Sequence, residues 1–319
     1  MTVTDEINKL AITKSAFKTL LKKIYGENEY LGNFQNYTEL FKKIVDFIIC
    51  GWGNCEENIF LELPTIIDEI PNGLFSKKET ITGVSGKITK VGDNAFYMCK
   101  NFESFPFDNK LTYIGEQAFL GTKLTEVNLK NSRPTIKSSA FAGCKSLVKF
   151  YAPYQLTIPN IFSQCENLSN FQAPRARTIE PLAFMYLHLT AQNEINGNMW
   201  ALYLPYVTSI DVRAFYESII DGNINLQNIE QLQTSTFENS TINGEMWLLS
   251  IKSIENSTFK NCNINGKIII ESTIETINAT AFDNCTGDFE IHINKPTGSI
   301  TGAPWGATNA KVVWNSTGA

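Results

Sequence analysis

The sequence of 319 residues lacks most of the features that mark an enzyme or a nucleic-acid-binding protein. It contains only two histidines, His188 and His292, and neither has a Cys, Asp or Glu at the spacing of a metal site or a catalytic triad. It has no phosphate-binding glycine motif and no cluster of Lys or Arg, and its net charge is −5. We therefore expect no catalytic residues, no cofactor, no metal and no nucleic-acid partner, although the scattered carboxylates leave a glycosidase-type pair open.

The sequence also lacks long apolar runs. No stretch approaches the roughly 20 apolar residues that span a bilayer, so we expect no membrane insertion. The N-terminus carries Asp5 and Glu6 where a signal peptide would carry basic residues, and no apolar segment follows. We expect a protein made in a cytoplasm that does not use the ordinary secretory route, and seven cysteines that are free thiols rather than disulfides.

A repeat of about 22 residues is what the sequence has in abundance. In each copy an aliphatic residue stands five positions before a phenylalanine, and one copy is compressed, from Ile158 to Phe162. The repeated phenylalanines are Phe75, Phe96, Phe119, Phe141, Phe162, Phe184, Phe215, Phe237, Phe259 and Phe282. They lie 21 to 23 residues apart, except for an interval of 31 residues after Phe184, which indicates an insertion of roughly nine residues. Ten copies predict a solenoid of about ten turns.

Two positions next to the phenylalanine also recur. The residue before it is usually Ala, and five of the seven cysteines stand three residues after it. These cysteines are Cys99, Cys144, Cys165, Cys262 and Cys285. A solenoid places equivalent positions of successive turns above one another, so phenylalanine should stack on phenylalanine and thiol on thiol. A metal site would need two pairs at close spacing, so we interpret these cysteines as a buried ladder.

An extended stretch of alternating polar and apolar residues follows each phenylalanine, which predicts a strand with one buried face. First-half stretches are of the type Leu124 to Leu129, whereas second-half stretches begin with Ile-x-Gly. The Ile-x-Gly copies begin at Ile195, Ile220, Ile242 and Ile264. A period near 22 residues is too short for two helices, so we expect one short parallel strand per turn.

The segments from Ile114 to Val127 and from Ile136 to Phe150 resemble the BspA-like leucine-rich repeats of bacterial surface proteins. The resemblance covers about residues 66–295, and its motif is specific because it recurs. The compressed copy and the Ile-x-Gly copies depart from the family pattern. The resemblance implies a leucine-rich-repeat solenoid that serves adhesion or protein binding, with no catalytic residues to carry over.

The two ends do not show the repeat. Residues 4–24 and 37–49 carry apolar residues at helical spacing, which predicts a small α-helical domain that caps or docks the solenoid. Parts of this region, 12–23 and 34–44, also resemble a short module of bacteriophage tail and baseplate proteins. The segment from Gly302 to Trp314 resembles the endings of phage tail proteins, and its last four residues would add a strand that covers the solenoid edge.

The alternation in the second half predicts a candidate binding face. If Met199, Ile224, Met246 and Ile268 point into the core, then their neighbours point outward. The outward row is Trp200, Asn225, Trp247 and Ile269, with Asn198, Asn223, Glu245 and Lys267 beside it, and the first-half row is Asn128, Tyr151 and Gln172. Exposed tryptophan would anchor a partner or a sugar. A register slip of one residue would instead bury both tryptophans.

The sequence thus predicts a helical N-terminal domain (1–63), a leucine-rich-repeat solenoid (64–300) and a C-terminal strand cap (301–319). The predicted function is non-enzymatic binding in a bacteriophage virion. Other virion proteins would hold the N-terminal helices of several symmetric copies, and the repeat face would contact a host surface protein or polysaccharide. The alternatives are a bacterial cell-surface adhesin and a purely structural virion protein.

Overall fold

The computed structural model describes residues 59–63, 68–107, 110–191, 193–195 and 198–315. The α-helical domain expected over residues 1–63 lies outside these ranges, apart from a strand at Ile59–Glu62. Within the described ranges all helix or strand structure is β-strand, so the predicted fold class was wrong in including a helical domain. None of these residues forms a helix long and apolar enough to cross a membrane.

Short strands form the regular structure of every described turn. In chain order they are β1 (Ile59–Glu62), β2 (Glu69–Ile70), β3 (Ile81–Ser85), β4 (Lys90–Val91), β5 (Tyr113–Ile114), β6 (Glu126–Asn128), β7 (Thr135–Ile136), β8 (Lys149–Tyr151), β9 (Thr157–Ile158), β10 (Asn170–Gln172), β11 (Thr178–Ile179), β12 (His188–Thr190), β13 (Asn193–Ile195), β14 (Asn198–Tyr203), β15 (Ser209–Ile210), β16 (Ile219–Asp221), β17 (Asn223–Asn225), β18 (Gln231–Leu232), β19 (Thr241–Leu248), β20 (Ser253–Ile254), β21 (Asn263–Ile270), β22 (Thr276–Ile277), β23 (Phe289–Ile293) and β24 (Lys311–Trp314).

Turns contribute strands to two faces, so the expectation of one strand per turn was also wrong. The short-strand face consists of two-residue strands whose second residue is the aliphatic residue of the repeat, in three sheets ordered β2-β4-β5-β7, β9-β11-β15 and β18-β20-β22. The broad face consists of β6-β8-β10 and then β14-β17-β19-β21-β23-β24. The strands pair in parallel within both faces, because each turn brings the chain back in the same direction.

A tight corner around the repeated phenylalanine precedes each strand of the broad face. Around Phe119, both Gln117 and Gly121 have positive φ, 53° and 72° respectively. These left-handed residues reverse the chain within five residues and leave the Phe119 ring fully buried. The Phe119 amide donates to Ala140 O in the next turn at 2.8 Å, so the corners are hydrogen-bonded to one another along the solenoid.

The predicted phenylalanine stack is present in two runs, from Phe75 to Phe162 and from Phe184 to Phe282, and Phe171 stands between them. The ring centroids of Phe119 and Phe141 lie 5.5 Å apart with the planes inclined by 4°, and those of Phe215 and Phe237 lie 4.8 Å apart with an inclination of 9°. Such offset stacks add about 0.5–1.5 kcal/mol per pair beyond the burial of apolar area. The stack therefore stabilises the interface between successive turns.

The predicted cysteine ladder is confirmed for the five repeat cysteines, which are free and buried. The structure adds that each thiol donates to the phenylalanine carbonyl one turn earlier, as Cys144 Sγ does to Phe119 O at 3.1 Å. Ser240 occupies the same position, and its hydroxyl donates to Phe215 O at 2.5 Å. Burial raises the pKa of Cys144 to about 11, so this thiol stays protonated at neutral pH.

An eleventh turn follows the ten that the phenylalanines predict. Trp305 is fully buried at the phenylalanine position, five residues after Ile300, and its carbonyl accepts from the Phe282 amide at 2.9 Å. Strand β24 then pairs in parallel with β23. The solenoid therefore has about eleven turns rather than ten, and tryptophan in place of phenylalanine hid the last copy.

Candidate binding face

The broad face confirms the predicted inward side of three strands. Ile224, Met246 and Ile268 are fully buried and stand in register on neighbouring strands. The next residue of each strand forms the second register row, in which Trp247 and Ile269 are half-buried and Asn225 is buried. These three strands present one continuous alternating pattern.

The prediction was wrong in strand β14. Met199, expected in the core, is 47% exposed, and Trp200, expected to be exposed, is 3% exposed. Leu202 takes the core position opposite Ile224, because a bulge between Trp200 and Leu202 shifts the register. Trp200 is thus buried against Trp247 and Tyr203 on the outer side of the sheet, in register with Asn223, and not in the core where a register slip would place it.

The insertion after Phe184 explains this error. The Ile-x-Gly copy expected at Ile195 lies instead in a hairpin, where β13 pairs antiparallel with β14. Leu189 holds the true repeat position, since it stands in register with Ile220 and Ile242. The inserted residues therefore lie between Leu189 and Leu202, and the Ile-x-Gly sequence at Ile195 matches the repeat pattern without occupying the repeat position.

Three aromatic residues, Trp200, Tyr203 and Trp247, form an aromatic cluster on the broad face. The Trp200 ring meets the Trp247 ring edge to face, with centroids 5.1 Å apart, and lies 5.5 Å from the Tyr203 ring. Trp200 is buried but does not belong to the contiguous hydrophobic core. Sequence reasoning missed Tyr203, and only the shifted register of β14 brings it into the row of Asn225 and Trp247.

Charged residues border the aromatic cluster. The Trp247 Nε1 group donates to Glu245 Oε2 at 3.3 Å, and Lys267 Nζ lies 3.5 Å from Glu245 Oε1. The alternation continues along the same register row with Glu290 and Lys311. Hydrogen bonds from Lys311 and from His292 lower the pKa of Glu290 to about 2.

Of the other residues predicted for the binding face, Asn198 lies in the same strand as the cluster and Tyr151 lies in a different sheet. Asn198 begins β14 and is half-buried. Tyr151 lies in β8, in register with Asn128 and Gln172 as predicted. Because β8 belongs to a separate sheet, no ladder of hydrogen bonds links Tyr151 to the aromatic cluster within the described ranges.

His188 contacts a carboxylate that is distant in sequence. His188 Nε2 lies 2.5 Å from Asp221 Oδ2, and the other oxygen of Asp221 accepts from Asn243 at 2.6 Å. Desolvation acts to raise the pKa of Asp221, but the hydrogen bonds from Asn243 and His188 outweigh it and hold that pKa below its ordinary value. Asn265 extends the row by donating to Asn243, so these groups form a polar ladder. In the described ranges no three His, Cys, Asp or Glu side chains are grouped to hold a metal ion.

A parallel solenoid with stacked phenylalanines, short strands and a broad sheet face defines a leucine-rich-repeat protein, a class that typically serves as a non-enzymatic binding scaffold. The family model for the BspA type leucine-rich repeat region matches in six copies, over residues 68–190 and 160–287. The chain belongs to this family.

Among solved structures, a leucine-rich repeat protein from Bacteroides ovatus is similar at 15% sequence identity and a TM-score of 0.41. The similarity covers 80% of this chain and 83% of that one. No curated protein matches the sequence.

Proposed function

We propose that this chain is a non-enzymatic binding protein that contacts its partner through the aromatic cluster of the broad face. The observation that carries the proposal is that Trp200, Tyr203 and Trp247 pack against one another outside the hydrophobic core. Large aromatic side chains that a solenoid does not need for its core are the usual anchors of a binding surface. Met199 adds an exposed apolar side chain beside them in the same strand.

The geometry favours Trp247 as the anchor. The Trp247 ring is half-buried, and it is held from one side by Trp200 and at its indole nitrogen by Glu245. A ring fixed before binding loses little conformational freedom when a partner covers it, which favours affinity. Asn198, Lys267 and Ile269 would supply polar and apolar contacts around it, whereas Asn225 is buried beneath them, and Tyr151 would extend the contact toward the first half.

The test is binding of the fluorescently labelled protein to host cells, measured by flow cytometry. We expect Trp247→Ala to reduce binding by about tenfold or more, as for an interface hot spot. Tyr186→Ala, which removes an exposed aromatic ring in the corner around Phe184 and not on the broad face, is the matched control and should leave binding unchanged. Equal binding by the wild-type protein and Trp247→Ala, with unchanged circular dichroism, would refute the role of the cluster.

For the place of action, we propose a bacteriophage virion in which residues 1–63 attach several symmetric copies to other virion proteins. The support is the resemblance of segments 12–23 and 34–44 to a module of phage tail and baseplate proteins. Membership of the BspA type family supports the alternative, a bacterial cell-surface adhesin. A purely structural role in the virion is the third candidate.

Immunogold electron microscopy of producing cells and of released particles separates these candidates. Label on particle tails supports the virion, and label on the cell envelope supports the adhesin. Deletion of residues 1–60 should abolish incorporation into particles while leaving a soluble repeat domain. Normal incorporation of this truncated protein would refute docking through the N-terminal region.

A further inference from the structure

The short-strand face is interrupted between the fourth and fifth turns. Strands β7 (Thr135–Ile136) and β9 (Thr157–Ile158) belong to different sheets, although they hold equivalent positions of successive turns. The ring centroids of Phe141 and Phe162 lie 6.4 Å apart here, and in the next interval Phe171 stands between Phe162 and Phe184. The two turns are therefore separated on this side of the solenoid.

The sequence of the fifth turn explains the interruption. In the neighbouring turns the residue after the aliphatic position donates its amide to the previous turn, as Lys137 N does to Ile114 O and Glu180 N to Ile158 O, both at 2.9 Å. Pro159 holds this position in the fifth turn and has no amide hydrogen. The same turn is one residue shorter between Ile158 and Phe162, so the chain cannot close the gap.

A cleft of about 330 Å³ occupies the gap. Arg133 and Glu180 line it from the two sides together with Thr135 and Thr157, and Ile136 and Leu156 supply apolar lining. None of the ion pairs formed by described residues includes Arg133 or Glu180. On the same face Lys252 pairs with Glu230 at 2.8 Å.

Two polar atoms of residues adjacent in sequence to the cleft lining lack partners. Ser132 Oγ and Asn160 Oδ1 are the buried side-chain atoms of the described ranges that have no hydrogen-bond partner. Ser132 directly precedes Arg133, and Asn160 directly follows Pro159. Neither residue lines the cleft, so these two atoms mark imperfect packing between the two turns and not a contact with a ligand.

We propose that this cleft binds a single carboxylated sugar residue, such as a hexuronate, independently of the aromatic cluster. The volume is at the lower end of ligand pockets, which begin at about 300 Å³, and fits one small polar molecule. The planar guanidinium of Arg133 matches a carboxylate with two parallel hydrogen bonds. The Glu180 carboxylate accepts from sugar hydroxyls, the hydroxyls of Thr135 and Thr157 both donate and accept, and the C–H face of the ring would lie on Ile136 and Leu156.

Saturation-transfer NMR with the full chain tests the proposal, using D-glucuronate, D-glucose and glycine as probes. D-glucuronate should show saturation transfer, and D-glucose should bind at least about tenfold more weakly because it has no carboxylate for Arg133. Glycine carries both charges but no hydroxyls, and it should show no transfer. Absence of D-glucuronate binding to the wild-type protein, or equal binding of glycine, would overturn the proposal.

Three variants locate the site. Arg133→Gln should weaken D-glucuronate binding about tenfold or more, whereas Arg177→Gln, which changes another exposed arginine of this face outside the cleft, should leave it unchanged. Thr157→Tyr should abolish binding by filling the cleft, and a tyrosine is already accommodated in the row of β5 and β7 at Tyr113. Binding that survives Thr157→Tyr in a protein with unchanged thermal midpoint would place the sugar elsewhere and overturn the assignment.

Discussion

The two halves of the solenoid fill the same 22-residue turn in different ways. In the first half the Phe119 ring contacts Phe96, Phe102, Phe105, Phe107 and Phe141, so a second group of aromatic rings packs beside the stack. The strands of the broad face are only three residues long there. On this side of the first half, packing between aromatic rings therefore contributes more to the contact between turns than pairing of the short strands does.

The second half relies on long strands and aliphatic residues. Strands β19 and β21 are eight residues long and pair along their whole length. Each bends at a glycine, Gly244 with φ 152° and Gly266 with φ 148°, which stand in register with one another. Isoleucine and methionine fill the core positions that phenylalanine fills in the first half. The comparison shows that the same repeat length of about 22 residues allows two kinds of turn. One has short strands and a core filled with aromatic rings, and the other has long strands and a core filled with aliphatic side chains.

The largest expected effect is at the glycine bend of the second half. A Cβ on Gly244 would lie 2.6 Å from the backbone of Gly222, in a conformation that side chains rarely adopt. We expect Gly244→Ala to lower the free energy of unfolding by about 3–4 kcal/mol, measured by urea denaturation. Gly143→Ala in the first half is the control, because its nearest neighbour would be 3.7 Å away at φ 66°, and it should cost about 1 kcal/mol. Equal losses of unfolding free energy in the two variants would show that the continuous strands do not depend on the close contact between Gly244 and Gly222.

Replacing one ring of the stack tests the aromatic half. Phe119 and Phe237 are both fully buried at the same repeat position, but the Phe237 ring contacts only Phe215 and Phe259 among the described rings. We expect Phe119→Leu to lower the free energy of unfolding by about 2–3 kcal/mol and Phe237→Leu by about 1–2 kcal/mol. A larger loss for Phe237→Leu, measured under the same conditions, would contradict the proposed division between the halves.

The smallest expected effect concerns charge on the second-half face. The pKa of Glu290 is lowered to about 2 by Lys311 and His292, compared with an ordinary value of about 4.3. A lowered pKa stabilises the folded state above pH of about 4.3, and this contribution is lost as the pH falls toward 2. The stability difference between wild type and Glu290→Gln should therefore shrink over that interval in a pH series of thermal unfolding. A difference that is independent of pH would contradict the assignment, and Glu166→Gln, which removes an exposed ion pair with Lys145 in the first half, is the control.

Much of the fold could be predicted because the repeat is one-dimensional. The spacing of Phe119 and Phe141 places one ring above the other, and the spacing of Cys144 and Cys165 does the same for the thiols. The second strand of each turn was missed because a two-residue strand carries no alternation that a sequence pattern can reveal. The last copy was hidden because Trp305 holds the position that phenylalanine holds in the other ten.

The candidate site was less predictable than the fold. The alternation correctly assigned Ile224, Met246 and Ile268 to the core, but it could not place the insertion before β14. In that strand Met199 is exposed and Trp200 is buried, but Trp200 stays on the outer side with Trp247, because it stands in register with Asn223 and the bulge follows it. The hydrogen bond between His188 and Asp221 was likewise hidden, since the two residues are 33 positions apart across the insertion.

The sequence by itself determined the period, the stacked phenylalanines, the thiol ladder and the membership of a repeat class. These follow from spacing, because a solenoid converts a distance of about 22 residues along the chain into direct contact. The tertiary structure decided the register of β14, the grouping of Trp200 with Tyr203 and Trp247, and the gap beside Pro159. Each of these features lies in or next to a turn that has extra or missing residues. Its structure depends on the packing and hydrogen bonds with the regular turns on either side, which the spacing along the chain does not specify.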